Sequence, residues 1–322
     1  MYATLPDLLR LLFVPALAWA AYHDVRVRRV PNELWYPFVA LGLGLLAWEY
    51  VLVERTTLFL VRAAVSLLVI PLAYAFWFIG GFGGADFKAF CVVALLYPTY
   101  PSYYVADLAL PLVRTQLGVF SVTVVTNAML ASLGYPLALA VRNALTGVFS
   151  RLMFVGRPVT SHQLAEAHGT LLETPDGFSR GGLDLDALRM YLRWRGVTLG
   201  QLLAHPERYR DPATVPEETN EPGDGSVTTE AISAPTSEPM PGEAAGGYDD
   251  PWGAARFLDD IDSTAYGTTP GKLRDGLDVI TSQERVWITP GVPFIVPLFV
   301  GLLLALTAGD LLFALMRLIG LV

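Results

Sequence analysis

Charge is scarce in this sequence and cysteine is almost absent. Only 16% of its 322 residues are charged, whereas soluble domains carry about a quarter. The deficit argues against a soluble globular protein and for an integral membrane protein. The single cysteine, Cys91, excludes an intramolecular disulfide and a cysteine-rich zinc site. It lies in an apolar run and reads as a small buried residue. Basic residues are too few to form a stripe: the net charge is -8 and the pI near 5.0, which argues against nucleic acid as a partner. Histidine is sparse as well. His162, His168 and His205 lack the HExxH spacing of a zinc protease, and no metal or organic cofactor is expected.

Long apolar runs are what the chain does have, and their recurrence sets the class. The first runs from about Leu5 to Tyr22 and ends at Asp24. Asp7 and Arg10 spoil a clean basic leader and no small-x-small cleavage site follows, so a retained membrane helix is expected rather than a secretory signal. Arg26, Arg28 and Arg29 then mark a cytoplasmic loop by the positive-inside rule, with Pro31-Asn32 as a turn. The N-terminus is therefore expected outside. A second span covers about Leu34 to Val53 and a third about Leu58 to Ile79, with Arg62 snorkelling near its outer end. A fourth begins at Asp86 or Phe87 and fades near Val105, where Pro98 and Pro101 kink or end it. Asp107 to Arg114 is an outer loop or a surface helix, and the sequence leaves open whether residues 107–118 enter the membrane. A fifth span, about Val119 to Val141, returns to Arg142, Arg151 and Arg157 on the inner side.

The expected fold class is thus an all-α membrane protein of about six transmembrane helices in a lipid bilayer, with a large cytoplasmic insert before the last helix. Residues 1–149 form the membrane domain with spans one to five, residues 150–288 the insert, and residues 289–322 the last span and a C-terminal tail. Within the insert, Asp184 to Ala187 opens an amphipathic helix running to about Leu203. Residues 206–248 are rich in Pro, Glu, Thr, Ser and Gly and are expected to be disordered. The sixth span starts near Pro290 and reaches about Leu306, and residues 311–322 extend it or lie on the outer surface.

The span count puts two acids on one membrane face: Asp24, and Asp86 in the stretch Gly80-Gly81-Phe82-Gly83-Gly84-Ala85-Asp86-Phe87-Lys88. Each has a plain explanation, Asp86 as a helix cap and Asp24 as the first polar residue after a span, paired with the arginines behind it. Together they also make a chemistry. Two close carboxylates do not both ionise cheaply, so the pair holds one proton. The ionised acid then takes a proton from water while the protonated one hydrogen-bonds the carbonyl under attack. The glycines before Asp86 allow a sharp turn and room for an extended peptide. Lys88 either lowers the pKa of Asp86 by its charge or snorkels. His23 either tunes Asp24 or is solvated. Ser66 and Ser132 have no histidine beside them, and Glu49, Asp107 and Asp310 read as solvated ends on the outer side.

These residues resemble the archaeal prepilin and preflagellin (prearchaellin) peptidases, membrane aspartyl proteases of the GxGD type (peptidase family A24). Gly83-Gly84-Ala85-Asp86 fits the looser archaeal form of the motif, with Ala85 in place of the second glycine, and Asp86-Phe87-Lys88 resembles the family's D-x-K. Asp24 with its arginines and Pro31-Asn32 resembles the first catalytic aspartate and its loop, and Trp287 to Phe294 resembles the approach to the last span. The resemblance implies a catalytic pair of Asp24 and Asp86, with Gly83, Gly84, Ala85 and Lys88 as motif and substrate cleft. It implies cleavage of short basic leader peptides from prepilin or prearchaellin precursor proteins at the cytoplasmic face of the plasma membrane. The bacterial relatives' CxxC pairs are lacking, so peptidase activity without methyltransferase activity is expected. The sequence leaves the oligomeric state open, along with two rivals. One is an intramembrane protease of the presenilin or signal-peptide-peptidase kind. The other is a small proton-coupled transporter, which the lack of an inverted repeat disfavours.

Overall fold

The structure, a computed structural model, describes residues 2–27, 30–52, 57–79, 83–179, 181–227, 249–261, 265–290 and 294–320. In chain order, α1 (Leu5–Arg10) is capped by Thr4, whose hydroxyl accepts from Asp7 N–H at 3.3 Å. After it come α2 (Phe13–Val27), a 3₁₀ turn at Asn32–Leu34, α3 (Trp35–Leu52), α4 (Thr57–Leu67), α5 (Val69–Phe78) and α6 (Gly84–Leu96). A hairpin of β1 (Tyr103–Val105) and β2 (Leu108–Leu110) precedes α7 (Phe120–Ser132) and α8 (Gly134–Leu145). Next come β3 (Arg157–Thr160), β4 (Thr170–Leu171), β5 (Glu173–Thr174), β6 (Gly177–Phe178), α9 (Leu185–Arg195), α10 (Leu199–Ala204) and α11 (Pro206–Arg210). The chain ends with α12 (Ala254–Asp260), α13 (Pro270–Ser282), β7 (Arg285–Thr289), α14 (Ile295–Thr307) and α15 (Leu311–Leu318).

Among the described residues, four stretches are helical, apolar and long enough to cross a membrane: Leu5–Arg26, Asn32–Val51, Thr57–Phe78 and Phe120–Leu145. The fourth and sixth expected spans are shorter. Helices α6 and α14 have 13 residues each, or about 20 Å at 1.5 Å per residue, against a hydrocarbon core of roughly 30 Å. Helix α6 stops because Pro98 disfavours helical geometry at Tyr97, which sits at φ -125° and ψ 55°. Tyr103–Val105, read from sequence as the fading end of a span, is instead a strand, and the loop at 107–118 contains its partner β2 rather than a surface helix.

The chain divides into two units, residues 1–135 with 292–322, and residues 136–291. In the first, α14 packs on α7 and α2, and α6 packs on α3 and α5. Glycines set the closeness of two of these pairs. A Cβ on Gly301 of α14 would lie 2.5 Å from the Ala128 nitrogen of α7, and one on Gly42 of α3 would lie 2.7 Å from the Leu95 Cβ of α6. Small residues that let backbones approach are the usual means of helix association in lipid.

Two acids expected to be solvated ends of this unit are not. Glu49 accepts from Arg10 Nη2 at 2.8 and 2.7 Å, and Arg10 also donates to Asp7 at 2.7 Å and to the Leu96 carbonyl at 2.6 Å. Asp310 is buried, accepts from the Thr123 hydroxyl at 2.7 Å and caps α15 through Phe313 N–H at 2.8 Å. Partners on other helices keep both acids out of solvent. Asp107 is exposed, as expected.

The second unit has its own core, built around Tyr191, Trp194, Trp252 and Phe257. It is not all helix: β3, β7 and β4 form an antiparallel sheet in that order, with Val159 opposite Val286 and Leu171 opposite Ile288. Val286 and Ile288 alternate inward, as a half-buried strand requires, so the approach to the last span is made by a strand, β7. Asp184 caps α9 as expected, accepting from Asp186 N–H at 2.8 Å. The expected run to Leu203 breaks at Gly196, which takes φ +69°. Residues 206–227, expected without order, hold α11 and contribute Tyr209 and Val215 to the core. Residues 228–248 lie outside the described residues.

Candidate active site

Asp24 lies in the last turn of α2 and is 8% exposed. The C-terminal end of a helix carries partial negative charge, so an acid there is disfavoured by the macrodipole. Helix propensity therefore gives no reason for it. Asp86 sits at the opposite kind of end. It is the third residue of α6, 9% exposed, and Gly83 rather than Asp86 occupies the N-cap position. The Asp86 Oδ2 reaches back to accept from Gly83 N–H at 3.0 Å. This is the acidic half of a capping box; glycine has no side chain to supply the other half.

A second backbone N–H also acts on the Asp86 carboxylate, that of Ile295, the first residue of α14. Two helix N-termini thus converge on one carboxylate, an arrangement that favours anionic oxygen. Asp24 lies within range of the charge on Asp86. The two acids singled out in the sequence are each nine-tenths buried, and the charge of one acts on the other. Phe90, one turn along α6 from Asp86, packs against Phe294 with ring centroids 5.6 Å apart. That contact ties the two converging N-termini together.

The motif residues play different parts. Gly83 has φ -73° and ψ 160°, which any residue adopts, so no left-handed turn is needed there. Its lack of a side chain has a steric use, because a Cβ would come 3.3 Å from Asp86 Oδ2. At Gly84 an added Cβ would make only an ordinary contact, 3.9 Å from Trp77 Nε1. Ala85 packs against the apolar core of the unit. Gly80, Gly81 and Phe82 lie outside the described residues. Lys88 does not snorkel freely: its Nζ donates to the side-chain oxygen of Asn32.

Other candidates have partners of their own. The His23 ring stacks on Trp19, centroids 4.8 Å apart. Ser66 is fully buried and bonds the Ala94 carbonyl at 2.6 Å and the Ser121 hydroxyl at 2.7 Å, a structural tie between three helices. Sequence reasoning missed Ile295, because a backbone donor leaves no mark of residue type. It also missed that Asn32, noted only as part of a turn, is the partner of Lys88.

Comparison with known proteins bears out the family resemblance. Residues 11–149 match the model of the type IV leader peptidase family, and residues 264–311 match that of the archaeal peptidase A24 C-terminus, type II. The prepilin peptidase EppA of Methanothermobacter thermautotrophicus is 30% identical over 129 residues, which are 38% of this chain and 33% of that protein. The preflagellin peptidase of Methanocaldococcus jannaschii is 28% identical over 132 residues, 40% of this chain and 55% of that protein. The chain thus spans a third to about half the length of these relatives. Asp24, Asp86, Asn32 and Lys88 all fall within the first matched segment, and Ile295 within the second.

Proposed function

We propose that this relative of the type IV leader peptidases is a membrane aspartic endopeptidase with Asp24 and Asp86 as its catalytic pair. The observation that carries the proposal is that two nine-tenths-buried carboxylates, at the ends of separate helices, interact through their charge. One of them sits where helix structure alone would not place it. The pair holds one proton. Its ionised member draws a proton from a water that attacks the scissile carbonyl, and its protonated member hydrogen-bonds the carbonyl oxygen as charge develops there. The N–H groups of Gly83 and Ile295 fix the Asp86 carboxylate, so little reorganisation is needed when the proton moves.

The substrates we propose are pilin-type or archaellin-type precursors, cut at the cytoplasmic membrane face between a short basic leader and the apolar helix behind it. The names of the two relatives support this, as do the arginines that follow Asp24 in the sequence. Six spans with the N-terminus outside, α6 and α14 being the two short ones, complete the proposal. No methyltransferase activity is included.

The test is processing of a precursor by the wild type and by Asp24→Asn and Asp86→Asn, each verified as folded. Both variants are expected to lose cleavage by at least about a thousandfold, in line with removal of a catalytic acid or base. Wild-type conversion to mature size in either variant would sink the assignment. Mapping the cut separates this reading from an intramembrane protease: the bond broken lies before the apolar segment, not within it.

A further inference from the structure

We propose that Lys88 is a positioning residue whose bond to Asn32 latches the segment following Asp24 onto the helix that carries Asp86. The inference rests on the peptidase reading above. Successive residues on an α-helix turn by about 100°, so Lys88, two residues on, leaves α6 about 200° around from Asp86. The spacing D-x-K therefore points the lysine away from its aspartate. Among the described residues, the N–H groups of Gly83 and Ile295 and the carboxyl of Asp24 act on Asp86, while the Lys88 ammonium reaches Asn32 Oδ1.

Asn32 is well placed to receive it. It opens the 3₁₀ turn Asn32–Leu34, where the N-cap residue is Pro31 and no side chain caps the turn. Immediately afterwards α3 begins and runs along α6, with Gly42 pressed against Leu95 further on. Asn32 follows Asp24 by eight positions and Lys88 follows Asp86 by two. The latch therefore joins the two chain segments that lead away from the acids, at the end of the bundle where the acids lie. Its role is to set their separation, on which one shared proton depends.

The test uses the full chain in detergent micelles with a pilin-type precursor as substrate. K88M and N32L are each expected to lower kcat about tenfold, the scale of a small misplacement of catalytic groups, with KM within about twofold. The double variant K88M/N32L is expected to lose no more than either single one. K88Q keeps a donor without the charge, and is expected to recover to within about threefold of wild type with an unmoved pH–rate profile. A double variant that loses about a hundredfold, a raised KM, or a shifted pH limb in K88Q would each overturn the proposal. Hydrogen exchange at Glu33 and Leu34 supplies a readout independent of activity. It is expected to quicken in K88M and not in Asp86→Asn, and unchanged exchange in K88M would also overturn the latch. If the wild type cleaves no precursor, the peptidase reading falls while the exchange result still decides the latch.

Discussion

Replacing Arg10 by methionine removes the only cation that the described residues supply to a buried polar network and leaves its partners in place. Arg10 is 1% exposed and makes four bonds: one to the Leu96 carbonyl, one to Asp7 and two to Glu49. The side chains of Asp7 and Glu49 are themselves only 8% and 12% exposed. Deleting one partner of a buried ion pair costs about 3–5 kcal/mol, because the abandoned charge keeps its desolvation penalty. Here two carboxylates are abandoned, and methionine fills much of the vacated length. We expect a loss of at least about 3 kcal/mol, measured by chemical unfolding in detergent micelles. The triple variant Arg10→Met, Asp7→Asn, Glu49→Gln leaves no unpaired charge and is expected to recover most of that loss. Activity per folded molecule should stay unchanged in both, since Leu96 lies about 15 Å along α6 from Asp86. A cost below about 1 kcal/mol for Arg10→Met, or a triple variant less stable than the single one, would refute the reasoning.

The packing of α14 on α7 gives a second expectation. Gly301→Ala places a Cβ 2.5 Å from the Ala128 nitrogen and 2.8 Å from the Val124 carbonyl oxygen, costing about 1–3 kcal/mol and moving Ile295 away from Asp86, so cleavage should fall. Gly44→Ala, with nothing within 4 Å, is the control expected to cleave normally. In the second unit, Gly169→Ala sets a Cβ 1.9 Å from the Thr289 carbonyl oxygen at φ +120°. It should abolish protection of the β4–β7 pair in hydrogen exchange. Burial pushes the Asp184 carboxyl up to about 6 despite the N–H it accepts from Asp186. Its ordinary value is about 3.9, so the folded state binds the proton more tightly than the unfolded state. The stability this group confers is present below about pH 4 and is lost as pH rises through about 6, a fall of about 3 kcal/mol. Asp184→Asn should keep the cap and flatten that part of the pH–stability curve.

Much of the site was legible because membrane helices advertise their ends. An apolar run that stops at Asp24 and another that starts at Asp86 place both acids by counting alone. The environment of Asp86 was not legible, because Gly83 and Ile295 act through backbone N–H groups that any residue other than proline possesses. Glu49 and Asp310 were misread for a related reason. Each lies at a helix end where solvent is the default partner, and only packing against other helices supplies Arg10 and Thr123. The strand β7 was hidden by its neighbours: Val286 and Ile288 alternate with period two, but the proline-rich run behind them resembles a span beginning. In residues 206–227 composition suggested disorder, yet two residues, Tyr209 and Val215, reach the core. A low apolar content does not prevent a segment from being held by a few anchors.

The contact between Ile295 and Asp86 also orders events in time. A ribosome that has delivered every residue through α13 has already supplied both carboxylates, but not the second amide that holds one of them. The nascent polypeptide carries the Asp86 carboxylate without that amide while the whole second unit is being made. Synthesis of α14 supplies that amide, so the surroundings of Asp86 are completed long after both acids have been made.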